Sequence, residues 1–354
     1  MIEMAEIFRQ YKEEYLRKYG DRILPSHRKT INDIINCRTP VLGGNLYTCD
    51  SCGKSHYSYH SCGNRHCPKC GSDSATQWVA KQSSRIPAVP CFLLTFTVPH
   101  ELNKIIRSNQ KDCYGLLFKS SSRSIKKLAS DPRHLGAQPG MLGVLHTWGR
   151  NLSYHPHIHY LIPSGGINKQ GKWCWTPYKD FFLPVRALSR IFRAKFRDGL
   201  KELNLYNSVP AEVWKKEWVV HSEPVGHGPE AIKYLSKYIY RIAITNSRIL
   251  SLKNGRVTFS YKPVDAEDWR TMTLPVLVFM ARFLQHVLPK GFSKVRYYGF
   301  LHQRCSNKLK SITIQLKLPT IKLSVEISKS FCCPDCGKEM SISSVLHRLR
   351  GPPC

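Results

Sequence analysis

Cys49-Asp-Ser-Cys52 and Cys67-Pro-Lys-Cys70 are two Cys-x-x-Cys pairs separated by 14 residues, and a glycine follows each, Gly53 and Gly71. Such a pair with its tight turn aims two thiolates at one ion, so the four cysteines read as a closed tetrahedral zinc ribbon. The metal supplies the stability that an apolar core cannot supply in so short a segment. Cys37, His56, Cys62 and His66 lie in the same stretch and offer either a second site or replacements for members of the first. Near the end of the chain, Cys333-Pro-Asp-Cys336 with His347 and Cys354 forms a candidate third set. Fourteen cysteines in a small exported protein would suggest disulfides; several falling in close pairs along 354 residues favour thiolate ligation of Zn²⁺ in a reducing compartment.

Charge narrows the partner. Lys and Arg number 54 against 24 Asp and Glu, a formal charge of +30, and a polyanion is the first expectation. With 42% hydrophobic and 11% aromatic residues the chain can build a core, which excludes a disordered basic tail. The most apolar stretch, 273–287, is interrupted by Pro275, Arg282, Gln285 and His286, so no spanning helix is expected. The first twenty residues carry charge throughout, with no apolar run of a secretory leader. The expected place of action is therefore cytoplasmic.

Between the cysteine-rich ends, pattern predicts a strand at 91–99, an amphipathic helix at 101–129, and paired antiparallel strands at 141–149 and 155–163. A helix at 184–203 and a strand at 214–221 follow, and Gly228-Pro229-Glu230 opens a further helix, with proline at a first-turn position. This is the β-α-β-β-α-β order of a ferredoxin-like, RRM-like antiparallel sheet flanked by helices, an α+β fold. A strand at 257–262 and a helix at 275–288 are also expected.

In His155-Pro-His157-Ile-His159 the imidazoles occupy alternate positions, so a strand points them to one face while Ile158 turns to the core. Imidazoles on a rigid strand suit a divalent ion with open positions, a Lewis acid for a phosphoryl oxygen. His146, on the neighbouring strand, and His155 compete to be the third ligand beside His157 and His159. Tyr234 and Tyr238 lie four residues apart, one turn from each other on one helix face. Such a pair is more often packing than catalysis, but beside a metal-bound phosphate a phenol can attack phosphorus. Lys237, between them, can stabilise developing charge or hold a DNA phosphate. In 290–304, cations alternate with aromatics, and Lys290, Lys294, Arg296, Tyr297 and Tyr298 are candidate contacts to phosphates and unpaired bases. A half-buried strand in a basic protein has the same pattern.

Together these residues resemble the two-tyrosine His-hydrophobic-His (HUH) rolling-circle transposases of bacterial insertion sequences, of the insertion-sequence-ninety-one type. The likeness is carried by CRTPVLGGNLYTCDSCGKSHYSYHSCGNRHCPKC, LLTFTVPHEL, GVLHTWGRNLSYHPHIHYLIPSGG and KYLSKYIYRIAITNSRI, and more weakly by LPKGFSKVRYYGFL, in that order along the chain. The resemblance implies that His157 and His159 bind Mg²⁺ or Mn²⁺, that Tyr234 and Tyr238 are nucleophiles, and that Cys49, Cys52, Cys67 and Cys70 hold structural zinc. It further implies nicking of single-stranded DNA at element ends through a 5′-phosphotyrosine, then transfer to a target, by a protein acting at the bacterial nucleoid.

The expected organisation is a basic N-terminal helix (1–30), a zinc-binding ribbon (31–90), an HUH catalytic domain (91–250), a basic DNA-contact region (251–330) and a zinc knuckle (331–354). Two other functions fit parts of the pattern: a zinc-ribbon regulator without catalysis, and a plasmid replication initiator or relaxase with the same chemistry.

Overall fold

A computed structural model describes residues 2–70, 78–79, 82, 85–239, 242–263, 266–318 and 331–349. It is a mixed α/β structure with antiparallel sheets, and its chain divides into two compact units, each discontinuous in sequence. One comprises Met1–Ser74, Ile242–Val287 and Ser324–Cys354; the other comprises Ala75–Arg241 and Leu288–Leu323. The segment 251–330, read from sequence as one region, is thus shared between the two units, and the C-terminal segment joins the N-terminal one.

The second unit is built on a five-stranded sheet. Its strands, across the sheet, are Val295–Tyr298, Met141–Trp148, Tyr154–Pro163, Pro90–Thr97 and Val220–His227, with every neighbour antiparallel. Alternation sorts the side chains. Phe92, Leu94, Phe96, Ile158, Tyr160 and Ile162 pack with Phe118, Phe192 and Phe196 of helices Gln110–Ala129 and Val185–Glu202. Cys91, Leu93, Leu142, Val144 and Leu161 face the other way, against Ala231, Ile232 and Leu235 of helix Gly228–Ile239. The expected order of strands and helices is present, with local differences. The helix expected over 101–129 is two, Asn103–Ser108 and Gln110–Ala129, and the fourth strand lies at Val220–His227, later than 214–221. Its expected first residue, Trp214, instead ends the short 3₁₀ turn Ala211–Trp214.

Gly143 shows how closely this sheet is packed. It pairs with Tyr160 across the strands, and a Cβ there would lie 2.6 Å from the Tyr160 ring. Gly228, at φ +31, starts its helix where a Cβ would meet the Ala88 backbone at 2.8 Å.

In the first unit, helix Met4–Tyr19 packs on helix Pro25–Asn36 and, through Phe8 against Phe283, on helix Val276–Leu284. The single helix expected over 1–30 is therefore two. A three-stranded sheet, Ile249–Lys253, Arg256–Tyr261 and Arg270–Pro275, precedes Val276–Leu284. A four-stranded sheet has the order Phe331–Cys332, Glu339–Leu346, Gly44–Thr48 and Ser55–Tyr59. No helix among the described residues is long and apolar enough to cross a membrane.

Candidate functional site

The strand pair fixes the histidines. His146 lies opposite His157 in the register of the two central strands, and His159 follows on the same face. Ligand nitrogens of His146, His157 and His159 all lie within 4.8 Å of one another. His155 is outside this group; its backbone oxygen accepts a hydrogen bond from His157 Nδ1 at 2.6 Å. Because a carbonyl only accepts, that bond puts the proton on Nδ1 and leaves Nε2 of His157 with the lone pair. His159 Nδ1 meets Thr95 Oγ1 at 2.8 Å, across the adjacent strand. His146 Nε2 donates to the backbone oxygen of Tyr238, which leaves its Nδ1 as donor atom for a metal. Burial, then the nearby Lys294 ammonium, keep His146 well below the usual histidine range and hence neutral, as a ligand must be.

The helix Gly228–Ile239 lays both phenols beside this group. The Tyr238 ring lies 4.5 Å from that of His159 and 5.8 Å from that of His146, and its hydroxyl is 3.0 Å from the Tyr234 hydroxyl. Tyr234 donates to Glu223 Oε1 at 3.4 Å, and the other carboxylate oxygen meets His221 Nε2 at 3.5 Å. Burial, the Tyr238 hydroxyl and the Glu223 charge all raise the Tyr234 pKa. The side chain of Lys237 lies outside the described residues.

Two side chains of this site were not assigned to it by sequence. Glu223 is one of several scattered carboxylates there; only the pairing of Val220–His227 with Pro90–Thr97 brings it to the tyrosine helix. Lys294, read as a DNA contact, hydrogen-bonds the backbone oxygen of Ile239 at 2.8 Å, at the C-terminal end of that helix, and lies 5.0 Å over the Trp148 ring. A cation there complements the helix dipole.

The other proposed DNA contacts lie on the edge strand Val295–Tyr298 and the turn before it. Arg296 stacks on Phe118 and Phe292, at 4.3 and 5.2 Å, and Tyr298 packs near Tyr160 with Lys126 over its ring. Tyr297 faces the opposite core and carries Arg85 at 5.6 Å. The cation-aromatic alternation is therefore that of a half-buried strand whose aromatics serve the protein's own cations; Lys290 is exposed.

The cysteines assemble differently from the ribbon expected from spacing. Cys37, Cys62, Cys67 and Cys70 form one cluster and Cys49, Cys52, Cys333 and Cys336 another, so Cys49 and Cys52 do not share a site with Cys67 and Cys70. The reason is pairing: strand Gly44–Thr48 takes Glu339–Leu346 as its neighbour, which brings the C-terminal pair to Cys49. His56 bonds Asp335 at 2.9 Å, His66 belongs to neither cluster, His347 is exposed, and Cys354 lies outside the described residues. Within the first cluster, a Cys67 hydrogen bond brings the Cys62 thiol down to about 6, despite burial. The described cysteines form no disulfide. Both clusters fit the four-sulfur donor set of structural zinc.

One unit carries two four-cysteine clusters and the other a sheet whose three histidines face two tyrosines, the donor sets of a metal-binding protein. Comparison with known proteins sharpens that class. A family model described as "Transposase zinc-binding domain" matches residues 7–98, and one described as "Putative transposase" matches residues 140–309. A relative named "Putative transposase y4qJ", from Sinorhizobium fredii, is 38% identical over 322 residues, covering 85% of this chain and 81% of the relative. The "Transposase for insertion sequence element IS801" of Pseudomonas savastanoi pv. phaseolicola is 29% identical over 354 residues, covering 91% and 84%. No solved structure matches. The chain belongs to the IS91 family of transposases.

Proposed function

We propose that this transposase is an HUH-type, two-tyrosine nickase and strand transferase that cuts and rejoins single-stranded DNA at element ends and so drives rolling-circle transposition. The observation that carries the reading is the approach of two phenols, 3.0 Å apart, to the group of His146, His157 and His159. Packing alone gives no reason to gather three imidazoles on one face of a sheet with a pair of phenols laid against them.

The three histidines fit a divalent ion: their hydrogen bonds orient the rings, and His146 stays neutral. An all-imidazole set suits Mn²⁺ better than Mg²⁺, which prefers oxygen ligands. When bound, such an ion polarises a phosphoryl oxygen. The chain's own residues then account for the rest. A tyrosine hydroxyl attacks phosphorus, the bond from phosphorus to the 3′-oxygen breaks, and a 5′-phosphotyrosine and a 3′-hydroxyl result. When Tyr234 attacks, Glu223 Oε1, which already accepts its hydrogen, takes that proton, and the departing 3′-oxygen is protonated by water. In rejoining, a 3′-hydroxyl attacks the phosphotyrosine and the phenol is regenerated, so no nucleotide cofactor is consumed. Two tyrosines let one site keep one cleaved strand while it attacks another. The charge of +30 supplies affinity for the strand. Acting on its own element, the protein would work at the nucleoid of a bacterial cytoplasm.

The test is incubation of the purified chain with a labelled single strand spanning an element end, with Mn²⁺ and with chelator. Cleavage that requires the ion and is lost in His157→Ala with His159→Ala supports the reading. Binding without cleavage at every end tried would leave a DNA-binding protein without this chemistry, and cleavage in chelator would refute the metal assignment.

A further inference from the structure

We infer that Cys49, Cys52, Cys333 and Cys336 hold one structural zinc ion, so that the ribbon of this transposase is split between the two ends of its chain. The family match to a zinc-binding domain spans residues 7–98 and contains only half of these ligands. The inference is independent of the cleavage chemistry.

The two halves are built alike. In Cys49-Asp-Ser-Cys52-Gly53-Lys54 the Cys49 amide bonds the Lys54 oxygen at 2.9 Å, and the Gly53 amide returns to the Cys49 oxygen at 2.8 Å. In Cys333-Pro-Asp-Cys336-Gly337-Lys338 the Cys333 amide bonds the Lys338 oxygen at 2.7 Å, and the Gly337 amide returns to the Cys333 oxygen at 2.8 Å. Gly53 and Gly337 sit at φ +70 and +74, where a side chain is strained. Each turn caps a hairpin, and the hairpins share the pairing of Gly44–Thr48 with Glu339–Leu346, so the two turns face each other.

The sulfurs meet at ligand distances. Cys49 and Cys336 are 3.4 Å apart, Cys52 and Cys333 3.7 Å, and all four lie within 4.8 Å. A tetrahedron of zinc-sulfur bonds of about 2.3 Å has edges of about 3.8 Å. Lys54 and His56, on the N-terminal hairpin, bond Asp335 at 2.7 and 2.9 Å, and Tyr47 stacks on Phe331 at 4.5 Å. These contacts hold the turns in register and occupy His56 outside the sulfur set. The other cluster, Cys37, Cys62, Cys67 and Cys70, is complete within the N-terminal segment. The described cysteines therefore supply two zinc sites, one local and one that clips together residues 281 positions apart.

Metal analysis of the full-length chain tests this. Wild type should contain two zinc ions per chain. Cys333→Ser with Cys336→Ser should contain one, Cys49→Ser with Cys52→Ser one, and all four substitutions together still one, because both pairs serve the same ion. Retention of two ions after loss of Cys333 and Cys336, a further loss in the quadruple variant, or iron in place of zinc would overturn the inference. Hydrogen exchange on the wild-type chain gives a second readout that needs no substitution. Stripping zinc should release Gly44–Thr48 and Glu339–Leu346 together; unchanged protection of Glu339–Leu346 would contradict the split site.

Discussion

Tyr234 and Tyr238 share a helix face but not a chemical environment. Tyr238 stacks among the histidines, whereas Tyr234 donates to Glu223 and receives the influence of its charge. An anion beside a phenol disfavours the tyrosinate, so replacing Glu223 by Gln should lower the pH at which Tyr234 ionises, read by ultraviolet difference titration. An unchanged titration would mean that Glu223 does not face Tyr234. The same variant loses the proton acceptor, and its cleavage rate should fall by about 10²-fold or more if Tyr234 attacks. Replacing both tyrosines by Phe should abolish the covalent adduct while single-strand binding persists; loss of binding would assign the pair to packing. Sequence made the tyrosine pair and the strand histidines visible, because their periods of four and two are those of a helix face and a strand face; His146 followed from the expected strand pairing, and the same period of two also drew in His155, which lies outside the group. Glu223 had no such mark, since its position depends on a strand partner far away in the chain.

At the level of elements, the sheet is what converts spacing into a site. His146 reaches His157 only because Met141–Trp148 and Tyr154–Pro163 pair with that register, and Gly143 leaves the room that the Tyr160 ring fills. Gly143→Ala should therefore destabilise the unit built on the five-stranded sheet by about 1–3 kcal/mol through overpacking, measured by denaturant unfolding. Stability within a few tenths of wild type would show that the strands can separate without cost. The strands and helices that bury a face on each side were legible from alternation and amphipathicity. Less legible was Val295–Tyr298: its alternating cations and aromatics are the same letters whether they meet bases or, as with Arg296 on Phe118, the protein's own rings. The ribbon was legible as chemistry and not as connectivity. Cys49 and Cys52 have the same spacing to each other as Cys67 to Cys70 and Cys333 to Cys336, so spacing alone cannot choose partners; the shared Cys-x-x-Cys-Gly-Lys of the first and third pairs was the available signal.

For the whole molecule, the proposed function makes binding to single strands a matter of counterion release by a formal charge of +30. The logarithm of affinity should fall linearly with the logarithm of salt, by about 0.7 for each phosphate contacted. Affinity indifferent to salt would assign binding to stacking instead. Metal removal should act in two stages: mild chelation stops cleavage first, because an open histidine site releases its ion more readily than closed thiolate sites, and only stronger chelation unfolds the cysteine clusters. The central claim is that Tyr234 or Tyr238 becomes covalently joined to DNA. The most direct measurement is proteolysis of the chain after reaction with an element-end single strand and Mn²⁺, with mass mapping of the DNA-bearing peptide. A phosphotyrosyl link within Gly228–Ile239 is predicted; cleavage that leaves no DNA on that helix would contradict the account.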